Sequence, residues 1–210
     1  MTRIAVIDFE TTGLSPAMGD RATEVAIVML EDGEVVGCFQ SLMNAGVRIS
    51  PFIESFTGIS NDMVDAAPPA AEVMAAASRF VGDAPMVAHN ASFDRRYWTA
   101  ELARLDLPAP QPFACTVLLS RRLYPQAVSH SLGAMATLHQ LPRAGRAHRA
   151  MADAEVAAAL LARIQTDLCQ RFDLPQALHP LLMKIQTSPK HAMAGAIEKY
   201  LASERSTEGR

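Results

Sequence analysis

The stretch VIDFETTG, Val6 to Gly13, sets two acids two positions apart inside an apolar run and then breaks into Thr11-Thr12-Gly13. Residues two apart on a strand point to the same side, so Asp8 and Glu10 project together from one face. The segment carries Ile4, Val6, Ile7 and Phe9 on both faces, the pattern of a central strand covered on both sides. Two carboxylates at the end of such a strand lie in a semi-enclosed cleft. At about 4 Å their repulsion is roughly 4 kcal/mol at an effective dielectric of about 20, so one binds a proton or a cation neutralises the pair. Hard divalent cations with oxygen ligands suit such a pair. Two exposed acids near a strand end are the bland alternative.

Beyond this strand, Glu24 to Leu30 and Glu34 to Leu42 are β-rich runs split by Glu31-Asp32-Gly33, which predicts an antiparallel hairpin. Ala70 to Val81 is Ala-rich with helical spacing, and the short run Met86 to Ala88 reads as an interior strand. Helical periodicity returns at Phe93 to Leu105, Thr116 to Leu123 and Ser131 to Leu138, and most extensively at Ala150 to Leu168. Early strands followed by strand-helix alternation imply an α/β fold with helices covering a mixed sheet. We divide the chain into a domain over 1–172 and a C-terminal helical appendage or tail over 173–210, cut into short pieces by Pro175, Pro180 and Pro189, which could equally pack as two helices on the core, with Ser203 to Arg210 expected to be disordered.

At 210 residues, 50% hydrophobic and 20% charged, the chain suits one globular domain of ordinary size. No segment approaches the roughly 18 consecutive apolar residues of a membrane span, and the N-terminus has no targeting-peptide pattern, so a cytoplasmic location without membrane contact is expected. The net charge of −3 argues against a general electrostatic clamp on nucleic acid. Local cationic points remain at Arg95-Arg96, at Arg121-Arg122 and in the run Arg143, Arg146, His148 and Arg149. Cys38, Cys115 and Cys169 form no C-x-x-C pair and read as buried thiols.

Two further segments carry chemistry. In VAHNASFDRRYW, Val87 to Trp98, the residues His89-Asn90-Ala91-Ser92 can turn the chain and open a helix, placing Asp94 in its first turn. An acid there is favoured by the helix dipole in any case, and His89 and Asn90 read as turn-stabilising. In HRAMADA, His148 to Ala154, the five-residue spacing amounts to about 500° on a helix, which leaves His148 and Asp153 roughly 140° apart. They share no helical face, so one lies outside. A helix starting near Ala150 puts Asp153 in the first turn and frees His148 to swing over the cleft as a base.

The order D-x-E-T-T-G, then H-N-A-x-F-D, then H-x-A-x-x-D-A resembles the DnaQ-like (DEDDh) 3′-to-5′ exonucleases of the ribonuclease H-like superfamily. Glu24, Thr57-Gly58-Ile59 and Ser131-Leu132 are secondary matches, whereas Cys115-Thr116 and Ser131-Leu132-Gly133 depart from the usual Asp-Thr and Ser-Leu-Asp. The resemblance implies a mixed five-stranded sheet, the first three strands antiparallel, with helices on both faces. It implies catalytic residues Asp8, Glu10, Asp94, His148 and Asp153, with the four acids holding two Mg²⁺ or Mn²⁺ ions and His148 as base.

The implied substrate is the 3′ end of a single-stranded nucleic acid, DNA before RNA because the overall pattern is most similar to proofreading exonucleases. Thr11, Thr12, Gly13, Leu14 and Asn90 would contact it, with small residues admitting backbone amides to the terminal nucleotide and Leu14 wedged beside its base. Phe93 and Phe56 could stack on a base, though core packing is the expectation for both. An RNA 3′ exonuclease of the oligoribonuclease or RNase T type is the alternative, and a non-catalytic docking subunit a weaker one. Docking on a DNA polymerase or clamp would run through Leu181-Leu182-Met183 and Gln186-Thr187-Ser188 of the tail.

Overall fold

The computed structural model describes residues 3–143, 145 and 147–208, with side chains described as far as Ser203. Five strands form one mixed sheet in the order β3-β2-β1-β4-β5: β1 (Arg3–Thr11), β2 (Ala22–Glu31), β3 (Glu34–Leu42), β4 (Met86–Ala88) and β5 (Phe113–Cys115). β1 to β3 are antiparallel neighbours, and β4 and β5 continue parallel to β1 on its other side. The helices are α1 (Pro51–Thr57), α2 (Asn61–Asp65), α3 (Ala70–Val81), α4 (Ser92–Ala103), α5 (Thr116–Leu123), α6 (Leu132–Leu138), α7 (Ala150–Phe172), α8 (His179–Thr187) and α9 (Met193–Glu208).

The strand pleat sorts the core into two layers. Ile4 and Val6 of β1, with Ala26, Val28 and Leu30 of β2, pack against Ala154, Leu161 and Ile164 of α7. Ala5, Ile7 and Phe9, with Val25, Ile27 and Met29, face Met74 and Ala77 of α3 and Trp98 and Leu102 of α4. Two-sided burial explains the near-continuous apolar run of β1. By the same parity Asp8 and Glu10 emerge on the α7 side. The ladder between β1 and β4 is confined to Ala5 with Met86 and Val6 with Val87. Past Val6 the fourth strand diverges, and a cleft opens beside the end of β1, the place where open α/β sheets take ligands.

Several elements differ from the sequence expectation. The three-residue β5 is too short to leave a periodic signature. α1 and α2 are one- to two-turn helices opened by Ser50 and Ser60, whose hydroxyls accept the amides of Ile53 and Met63. Cys115 is buried, but Cys38 is exposed on the outer strand β3. Ser203 lies inside α9, which continues to Glu208, rather than in a disordered end, and Gly209 and Arg210 of that expectation lie outside the described residues.

Of the two readings of the tail, the structure has two helices packed on the core, and α8 completes the first core layer. Leu181, Leu182 and Ile185 are at most 1% exposed. The Gln186 amide covers the free edge of β5, accepting from the Cys115 amide at 2.7 Å and donating to the Phe113 carbonyl at 3.1 Å. Of the side chains expected to dock a polymerase, Leu181 and Leu182 fill the core and Gln186 pairs with the sheet, while Thr187 is exposed. Gln186→Ala is expected to cost about 1–3 kcal/mol by orphaning those edge groups. Truncation after Phe172 should cost about 5 kcal/mol or more through the lost aliphatic burial. Thermal melts check both, and an unchanged melt after truncation would mean that the tail is a detachable appendage.

Candidate active site

Glu10 is 8% exposed, Asp94 2%, and Asp8 partly open to the cleft. Asp94 in the first turn of α4 does more than answer the helix dipole. Its Oδ1 accepts the amide of Phe9 at 3.2 Å, in place of the carbonyl that β4 no longer supplies. The carboxylate is thereby pinned against β1 between Asp8 and Glu10 in sequence. Ala91, without a side-chain hydrogen bond, opens α4 instead of an Asn or Ser cap. Asn90 adopts φ +70° in the turn before it, exposed at the mouth of the segment.

α7 begins at Ala150, so Asp153 occupies the first turn and His148 the loop outside it. His148 takes the left-handed φ of +61°, and its amide donates to Asp153 Oδ2 at 3.1 Å. Ligand atoms of Glu10, His148 and Asp153 all lie within 4.8 Å of one another. The imidazole is exposed and stacks on Phe56, ring centroids 3.9 Å apart. Phe56 is itself 46% exposed and stacks on Phe52, so it is not the core aromatic expected. Phe93 is partly buried beside Tyr97, as core packing predicts.

The electrostatics are those of an uncompensated acidic cluster. Burial holds the Asp8 carboxyl well above the usual range, and the charges of Asp94, Glu10, Asp153 and Glu24 push it further. Glu10 rises to about 8, through burial first, then Asp153, Glu24 and Asp94, with Arg149 opposing. Burial lifts Asp94 to about 7 against the Phe9 amide, and raises Asp153 against the His148 amide. Each of these carboxyls is shifted toward its protonated form, and bound positive charge would oppose that shift. An all-carboxylate donor set fits a hard divalent cation.

The Thr11–Leu14 turn is braced from below. The hydroxyl of Thr11 and that of Tyr97 both donate to the Gly13 carbonyl, at 2.6 and 2.9 Å. A Cβ on Gly13 would meet the Asp20 carboxylate at 2.4–2.5 Å, so a larger residue would have to displace Asp20 from the Ser15 amide. The Thr12 amide donates to the Arg21 carbonyl at 2.9 Å, and its hydroxyl accepts the Arg21 amide at 3.0 Å. Thr12 therefore orders the turn and does not present a free amide. Leu14 and Met18 stand 78% and 83% exposed at its rim.

Of the cationic points, Arg149 pairs with Glu24, and Arg143 donates to the Gly133 carbonyl and the Thr137 hydroxyl on the side of α6. Arg122 donates to the Leu118 and Ser188 carbonyls. Arg95 and Arg96 are exposed along a groove shared with Ser15-Pro16-Ala17. Arg146 lies outside the described residues. His89 pairs with Thr116 at 2.9 Å and is depressed to about 4 by burial, which suits a structural residue. Arg149 escaped the sequence reading as a site residue, although it adjoins His148.

A mixed sheet with carboxylates gathered at the end of its central strand defines a ribonuclease H-like nuclease architecture. The sequence model of the exonuclease family (RNase_T) matches residues 5–161, and the chain belongs to that family. It is 36% identical over 170 residues to DNA polymerase III PolC-type of Latilactobacillus sakei, covering 80% of this chain and 12% of that one. It is 33% identical over 210 residues to the 3′-5′ exonuclease DinG of Bacillus subtilis, covering 98% of this chain and 22% of that protein. The chain thus spans a minor part of these relatives.

Among solved structures, Exonuclease X in complex with 5′ overhanging duplex DNA matches at TM-score 0.63 and 33% identity, covering 77% of this chain and 90% of that one. Escherichia coli Exonuclease I with a dT13 oligonucleotide matches at TM-score 0.70 over 82% of this chain and 43% of that one, and at 18% identity it shows the shared fold.

Proposed function

We propose that the chain is a metal-dependent 3′-to-5′ exonuclease that removes nucleoside 5′-monophosphates from the 3′ end of single-stranded DNA. The observation that carries this reading is the convergence of Asp8, Glu10, Asp94 and Asp153, all raised toward their protonated forms, beside an exposed His148. Family membership and the 3′-5′ activity named for DinG give the polarity. Two Mg²⁺ or Mn²⁺ ions held by the four acids would neutralise the cluster and stabilise the charge that develops at phosphorus in an in-line displacement.

The chain's own residues perform the remaining work. Asp94 and the braced Thr11-Thr12-Gly13 turn fix the end of β1, leaving Leu14 to lie beside the terminal base and Asn90 to meet the terminal nucleotide at the cleft mouth. His148, steadied against Phe56, takes the proton from the attacking water. The new O–P bond forms as the bond from phosphorus to the 3′ oxygen of the penultimate nucleotide breaks. That oxygen leaves as the shortened 3′ end.

DNA is the substrate this reading favours, since PolC-type polymerases and Exonuclease X with DNA are the relatives near 35% identity. A polymerase partner and a cytoplasmic location follow from the same kinship, and no helix among the described residues is long and apolar enough to cross a membrane. A contact through the tail would use exposed positions such as Lys184 and Thr187. The test is a degradation ladder on 3′- and 5′-labelled single-stranded DNA, mismatched duplex and RNA with either metal. Loss of monophosphates from the DNA 3′ end supports the reading, and full activity in EDTA refutes it. His148→Ala should retain metal binding and lose about 10²- to 10⁴-fold in rate, the range for a missing general base.

A further inference from the structure

Glu24 stands apart from the acids around it. It lies directly across the β1–β2 ladder from Glu10, is fully buried, and adds its charge to the cluster. Like charges so placed repel. Yet Glu24 is satisfied on every side: Arg149 Nε and Nη2 donate to it at 3.1 and 2.8 Å, the Ala150 amide at 3.0 Å and Gln40 Nε2 at 2.9 Å. Burial would raise its carboxyl, but Arg149, Ala150 and Gln40 together hold it below the usual range. Arg149 balances the charge of Glu24.

The residues it grips are informative. Arg149 directly follows His148, and Ala150 opens α7. His148 itself holds a left-handed backbone, which strains an L-residue and persists only where the surroundings impose it. Asp153 takes the His148 amide from one side, and Glu24 takes the two following residues from the other. We propose that Glu24 is a positioning residue: by gripping Arg149 and the first amide of α7, it fixes the turn that carries His148 over the acidic end of β1. This inference rests on the exonuclease reading of the same site.

The test uses the full chain with Glu24→Gln and Arg149→Ala, each alone and combined with His148→Ala. The Arg149 side chain is 32% exposed, so its variant is expected to fold even where Glu24→Gln does not. Each single variant should lower kcat by about 10- to 100-fold, the usual loss when an orienting partner is removed, with KM within about twofold. In the His148→Ala background the further loss should be under about twofold, because residues acting as one unit are not additive.

Independently of catalysis, hydrogen exchange over residues 147–153 should quicken about tenfold or more in both variants while the sheet stays protected. Unchanged exchange there, or additive losses with His148→Ala, would each overturn the proposal. A wild type without nuclease activity would end the exonuclease reading first, and faster exchange would then show a brace with no catalytic role.

Discussion

Asp8→Asn is expected to abolish hydrolysis of a 3′-labelled single strand, beyond about 10³-fold or 4 kcal/mol in the barrier, while making the metal-free protein more stable. The two effects have one cause. Asp8 sits at the centre of the cluster, raised by burial and then by four neighbouring carboxylates. Asparagine keeps its shape and removes its charge, so it deletes a metal ligand and relieves the repulsion together. A fraction of the roughly 4 kcal/mol carried by a close pair at moderate dielectric should return as stability. At about 2–4 °C per kcal/mol for a chain of this size, melts in EDTA at pH 8 should move up by several degrees. Inactivity together with a lowered melt would point to a structural aspartate, and retained activity would remove Asp8 from the chemistry.

The second large effect is the dependence of metal-free stability on pH. Glu10 rises from an ordinary 4.5 to about 8 on folding, and Asp94 from 3.8 to about 7. Between those limits the native state holds protons that the unfolded chain has released, so stability falls as pH rises. Their contribution is complete below about pH 4 and gone above about pH 8. Each proton gives a slope of about 1.4 kcal/mol per pH unit inside its window. Melts without metal should therefore drop between about pH 4 and pH 8. Added Mg²⁺ should reverse the drop, and do so more strongly at pH 8 than at pH 6, because protons compete for the same carboxylates. Metal-free stability that climbs over this range would contradict the shared acidic pocket.

Much of this was readable in the chain itself, for identifiable reasons. The two-sided apolar run of β1 follows from burial on both faces, and residue parity places Asp8 and Glu10 together without any long-range information. The five-residue spacing of His148 and Asp153 required one of them to leave the helix, and α7 starts at Ala150 as that arithmetic demands. β5 could not be located, since three residues carry no period. The short helix α1 depends on Ser50 and Pro51 at its start, and nothing local announces that its Phe56 meets a ring 92 positions further on.

The Glu24–Arg149 pair spans 125 residues of sequence and belongs to the same category. So does the role of the tail. Its aliphatic and amide residues have the composition of a docking peptide, and only the fold shows that Gln186 closes the sheet edge. Side chains whose partners are fixed by periodicity or neighbouring sequence are legible; those whose partners depend on how separate layers meet are not.

The most direct test is a calorimetric titration of the metal-free protein with Mn²⁺ at pH 8, repeated on Asp8→Asn. The account predicts that the wild type takes up two ions and releases protons as its raised carboxyls give way to metal, and that the variant loses this uptake. No binding by the wild type, or equal binding by the variant, would contradict it.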